Sequence, residues 1–103
     1  VEWFTKAAMQ GYADAQNNLG VMYQKGDGVT KDLPKAVAWF TKAAMRGYAD
    51  AQNNLGLMYQ KGEGVPISSR KALWFFGEAD KKGHREAKDN FLRLAMRLQV
   101  DQL

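Results

Sequence analysis

Apolar residues along this chain return at helical spacing and are punctuated by glycines. After Asp32, placed as an N-cap, and Pro34, tolerated in a first turn, Ala36, Trp39, Phe40, Ala43 and Ala44 recur every three or four residues until Gly47. A second helix is predicted from near Ala49 to Lys61, with Asp50 in its first turn, Ala51, Leu55, Met58 and Tyr59 on one side, and Gly62 as its stop. Residues His84 to about Val100 read as one long amphipathic helix. Its buried stripe is Phe91, Leu94, Ala95 and Leu98, and Arg85, Lys88, Arg93 and Arg97 lie mostly in water.

The pattern copies itself. Val1–Thr30 returns as Val37–Pro66, and only the pairs 2/38, 10/46, 21/57, 27/63 and 30/66 differ. The offset is one helix–turn–helix unit of a solenoid. A third copy keeps the frame but not the letters, with Phe75 for Trp39, Phe76 for Phe40, Ala79 for Ala43, Gly83 for Gly47 and Ala87 for Ala51. Gly26-Asp27-Gly28-Val29 and Gly62-Glu63-Gly64-Val65 are turns, where glycine permits positive φ and the valine pins the loop. Gly20 and Gly56 fall inside helices, where glycine costs ~1 kcal/mol relative to alanine, so another backbone is expected to pass close there. One unit cannot bury enough surface to fold alone, so each Trp should be covered by the adjoining hairpin, Trp39 between the helices of 14–25 and 50–61.

Composition narrows the function. At 46% hydrophobic the chain is too apolar for disorder, yet no apolar run approaches the ~18 residues of a membrane span. The net charge of +4 is spread as 0 over residues 1–36, +3 over 37–72 and +1 over 73–103, without the clustered basic face of a nucleic-acid binder. There is no cysteine, so disulfides and thiolate metal sites are excluded. The chain lacks an initiator Met and starts inside a helical pattern, as expected of a part of something longer.

Little of the sequence suggests chemistry. Ser68-Ser69-Arg70-Lys71 fits the S-x-x-K pattern of penicillin-recognising serine enzymes, but S-D-N and K-T-G partners are absent, and Ser68 aligns with the N-cap Asp32. His84, the one histidine, takes the slot of Tyr12 and Tyr48 and reads as a packed or surface ring. Gly26-x-Gly28 lacks the third glycine of a dinucleotide fingerprint. No catalytic residue, cofactor or metal is expected.

The string Ala15-x-x-x-Leu19-Gly20-x-x-Tyr23-x-x-Gly26-x-Gly28-Val29-x-x-Asp32-x-x-Lys35-Ala36-x-x-Trp39-Phe40-x-Lys42-Ala43-Ala44-x-x-Gly47 closely resembles the Sel1-like repeat, a relative of the tetratricopeptide repeat. The resemblance covers essentially the whole chain as a single domain: residues 1–11 as the second half of a repeat, 12–47 as a full repeat, 48–83 as a second, C-terminally diverged repeat and 84–103 as a capping helix. It departs at Ser68, Phe75 and Glu78-Ala79-Asp80.

The resemblance implies an all-α, right-handed α/α solenoid of antiparallel helix pairs. It also implies a non-catalytic scaffold for protein–protein assembly, in the bacterial cytoplasm, periplasm or exterior. The first helix of each pair then lines a concave groove, which places Asn17, Val21, Gln24 and Lys25 there, with Asn53, Leu57, Gln60 and Lys61 in the next copy and Asp89, Arg93, Met96 and Arg97 on the capping helix. Amides suit a bare peptide backbone and cations suit a carboxylate, so the expected partner is a protein or peptide with an acidic or C-terminal segment. Two other readings are a hydrolase like the β-lactamase-labelled relatives and a structural spacer. Trp3, Phe4 and Ala7 lack the helix that would cover them, which predicts self-association at that end.

Overall fold

The computed structural model describes residues 2–101 as six helices with no strand among them. They are α1 (Glu2–Met9), α2 (Ala13–Lys25), α3 (Leu33–Met45), α4 (Ala49–Lys61), α5 (Ser69–Lys81) and α6 (Arg85–Asp101). The first-repeat and cap assignments of residues 1, 102 and 103 lie outside the described residues.

Local chemistry sets the boundaries. The Asp32 carboxylate accepts the Lys35 amide N–H at 3.1 Å and starts α3, and the Ser68 hydroxyl does the same for Lys71 at 3.2 Å and starts α5. α2 and α4 stop at Gly26 (φ +76°) and Gly62 (φ +73°), whose left-handed backbone lets the amide N–H return to the Met22 and Met58 carbonyls. Each helix packs on the next in the chain, and the rod measures 50 × 26 × 16 Å. A core that grows only through neighbours is the mark of a solenoid.

The aromatic at the centre of each layer is a phenylalanine. Phe40 is fully buried among Ala51, Leu55 and Met58 of α4, and a Cβ placed on Gly20 of α2 would stand 2.6 Å from its ring. Phe76 repeats the arrangement against Gly56, again at 2.6 Å, and joins Leu94 of α6. Two expectations are corrected here. Trp39 does not lie between α2 and α4; it is half-buried on the cluster of Ala7, Ala8, Ala15 and Leu19, with the Lys42 ammonium 4.8 Å from its ring centre. Adjacent residues of a helix differ by about 100° in direction, and only one of the Trp-Phe pair can face the seam. The helical glycines admit an aromatic ring, not a passing backbone.

Polar staples hold the layers in register. Gln16 and Gln52, both buried, donate Nε2–H to the carbonyls of Ala8 and Ala44 at 3.0 and 3.2 Å, tying α2 to the end of α1 and α4 to the end of α3. Asn54 donates to Asn17 Oδ1 at 3.1 Å and Asn90 to Asn53 Oδ1 at 2.9 Å, so an amide ladder joins α2, α4 and α6 side by side. Each rung links residues one repeat plus one apart, as a regular stack requires.

Candidate functional site

The ladder changes the reading of two predicted site residues. Asn17 and Asn53 are buried, and their Oδ1 atoms are engaged by the following repeat. They are therefore struck from the set of freely presented groove residues. An amide in the seam between helices forfeits several hydrogen bonds to water unless it finds a partner, and here the partner is the next asparagine along.

The remaining predicted residues divide by location. Leu57, Gln60 and Lys61 from α4 meet Arg93 and Arg97 from α6 around a depression of about 380 Å³, joined by Asn90. Val21 and Gln24 are half-buried and Lys25 is exposed on α2, outside that depression, as are the exposed Asp89 and Met96 on α6. Asn90 was missed by sequence reasoning, though its alignment with Asn54 would have found it.

The lining carries three cations and no carboxylate. Arg93 and Arg97 are one turn apart and exposed, and the exposed Lys61 reaches the same space from the end of α4. Leu57 supplies an apolar, half-buried floor. Such a place suits an extended segment with an apolar side chain beside a negative charge.

Residues with possible chemistry are employed structurally. The Ser68 hydroxyl caps α5, and the Lys71 ammonium sits 5.3 Å from the centre of the Tyr59 ring. The two ends of the S-x-x-K match thus serve a helix start and an aromatic face. His84 is more than a packed ring: its Nδ1 accepts the Ala87 N–H at 3.1 Å as the cap of α6, and its Nε2 lies 2.9 Å from Asp50 Oδ1. An accepting Nδ1 places the proton on Nε2, which donates to the carboxylate. One repeat earlier, the Tyr48 phenol is pushed above its usual value by burial first, then by the carboxylates of Asp50 and Asp14.

A second depression, about 570 Å³, opens at the other end between α1 and α2, lined in part by Trp3, Phe4, Ala7, Tyr12 and Asn18. These residues align with Trp39, Phe40, Ala43, Tyr48 and Asn54, several of which α2 covers one repeat on.

Stacked antiparallel helix pairs with repeated caps, glycine seats and an amide ladder define an α/α solenoid of short helical repeats. The chain belongs to the Sel1 repeat family, whose model matches residues 1–12, 13–48 and 49–84. Among solved structures it is similar to a Sel1 repeat protein from Oxalobacter formigenes, at 43% identity and a TM-score of 0.88 over 90% of this chain and 27% of that one. It is also similar to c5321, a protective antigen present in uropathogenic Escherichia coli strains and displaying an SLR fold (41% identity, TM-score 0.82, 84% of this chain, 18% of that one). The Helicobacter pylori cysteine-rich protein B matches at 28% identity with a TM-score of 0.82, over 85% of this chain and 66% of that one. The chain thus spans about a quarter, a fifth and two thirds of these proteins. A comparison with curated proteins finds no match. Sel1 repeat proteins are commonly non-catalytic scaffolds that mediate protein–protein interactions. Among the described residues, no helix is long and apolar enough to cross a membrane.

Proposed function

We propose that this module is a non-catalytic scaffold that binds a protein segment in the groove formed by α2, α4 and α6, with an acidic side chain or C-terminal carboxylate held between α4 and α6. The observation that carries this reading is the meeting of Lys61, Arg93 and Arg97 around Leu57 without any carboxylate in the lining. Separate surface lysines need no explanation beyond solubility. Three cations converging on an apolar floor create a positive field that a negative segment can neutralise.

Fluorescence polarisation with a labelled glutamate-rich peptide tests it. Replacing Arg93 and Arg97 together by Glu reverses two of the three charges, and affinity should fall at least about tenfold at low salt. Unchanged affinity with helicity intact would move the contact surface elsewhere.

A second reading concerns the α1/α2 end, where Trp3 is 71% and Tyr12 59% exposed beside the larger depression. An apolar surface of this kind favours self-association. Light scattering at high concentration should then give a mass above that of one chain, and a single-chain mass would discard the idea.

A further inference from the structure

α6 carries two apolar stripes, and the fold uses one of them. Phe91, Leu94 and Leu98 pack with Ala72 and Phe76. Leu92, Met96 and Val100 recur every fourth residue on the opposite side of the helix and remain 48%, 66% and 62% exposed. A single exposed apolar residue is ordinary, but residues four apart on a helix are neighbours, so these three form a continuous ridge.

Positive charge runs along one flank of that ridge. Arg93 and Arg97 each follow a ridge residue by one position, about 100° further round the helix, so the two rows lie side by side. Both arginines also line the depression between α4 and α6, which puts the cationic row between the groove and the ridge. No carboxylate occurs between Leu92 and Val100; Glu86, Asp89 and Asp101 all fall outside that stretch.

These features select an occupant. An apolar ridge offers no hydrogen bonds, so a segment laid along it has to satisfy its own backbone, as a helix does and a lone extended strand does not. A second copy of α6 makes a poor match. Antiparallel pairing sets each flank against the same flank and brings Arg93 and Arg97 beside their own equivalents, while parallel pairing sets them against Lys88, Ala95 and Gln99. Neither arrangement supplies a carboxylate. Resting on the groove reading for its charged edge, we infer that α6 docks an amphipathic helix of a partner protein, with its apolar stripe over Leu92, Met96 and Val100 and its glutamates or aspartates against Arg93 and Arg97.

Fluorescence polarisation with three labelled peptides tests the docking. One is a helical peptide with a leucine stripe bordered by glutamates, the second a scramble of identical composition, and the third the glutamate-rich peptide above. Covering the ridge should make the striped peptide bind at least about tenfold tighter than its scramble. Leu92→Gln/Met96→Gln should erase that advantage and leave the glutamate-rich peptide unaffected, with circular dichroism confirming intact helices. Arg93→Glu/Arg97→Glu should weaken the striped and glutamate-rich peptides alike. A striped peptide no tighter than its scramble, with the glutamate-rich peptide still weakened by the arginine reversal, would overturn the helix on α6 and leave the acidic groove. Striped-peptide binding that resists the arginine reversal would overturn the acidic edge. A dimer dissolved by Leu92→Gln/Met96→Gln, or binding to vesicles of anionic phospholipid in place of every peptide, would put another occupant on the ridge and overturn the inference. No binding of any peptide would overturn both readings.

Discussion

The two ends of the described rod are built from the same repeat and present opposite surfaces. At the α1 end, Trp3 and Phe4 look out over an open depression, although their counterparts Trp39 and Phe40 are sheltered by α2. At the α6 end, Leu92 occupies the position held by Gly20 in α2 and Gly56 in α4. Those glycines leave room for the ring of the next phenylalanine, and a leucine fills that room with its own side chain. α6 then runs through the register of Gly62, which is Leu98, without turning back. One end presents a ring without its seat, and the other presents the seat position already filled. The outer surface of α6 is not polar, however: Leu92, Met96 and Val100 remain 48%, 66% and 62% exposed.

The contrast is broken most directly at the phenylalanines. Phe40→Ala should cost about 3–5 kcal/mol in urea unfolding, whereas Phe4→Ala, losing a half-exposed ring, should cost under about 1.5 kcal/mol. Equal losses would mean that the α1 end is covered in solution. Next come the glycine seats. Gly56→Ala puts a methyl against the Phe76 ring and should destabilise by about 1–3 kcal/mol, while Leu92→Ala should cost less than about 1 kcal/mol because Leu92 is already 48% exposed.

The smallest effect sharpens the comparison through pH. The raised Tyr48 phenol contributes stability that is fully present below the ordinary tyrosine pKa and is lost as pH rises through the folded value. Replacing Asp14 and Asp50 by Asn should lower the Tyr48 midpoint in ultraviolet titration, since both carboxylates oppose the phenolate. An unmoved midpoint would leave burial as the whole cause.

How much of this was legible in the sequence depended on distance along the chain. The caps at Asp32 and Ser68 and the glycine stops act within one turn, and their spacing alone announces them. The cations at 61, 93 and 97 were found because the repeat offset carries one helix onto another. Trp39 and Phe40 share the apolar stripe, and the expectation that Trp39 fills the seam fails because neighbouring residues on one apolar face can be ranked only once both flanking helices are in place. Asn17 and Asn53 looked like solvated polar positions, because their partners lie 37 residues away and meet them only when the repeats stack. His84 as a cap was hidden by its unusual residue type for that role. Leu92 was readable from the start, by laying Gly56 onto it.

A leucine in the glycine pit also constrains how such a protein acquires its length. A further hairpin with the same phenylalanine would bring its ring against the Leu92 side chain, where Phe40 and Phe76 each meet a glycine, so a repeat of this sequence fits upstream of α6 without a change of residue and downstream only with a smaller residue at position 92.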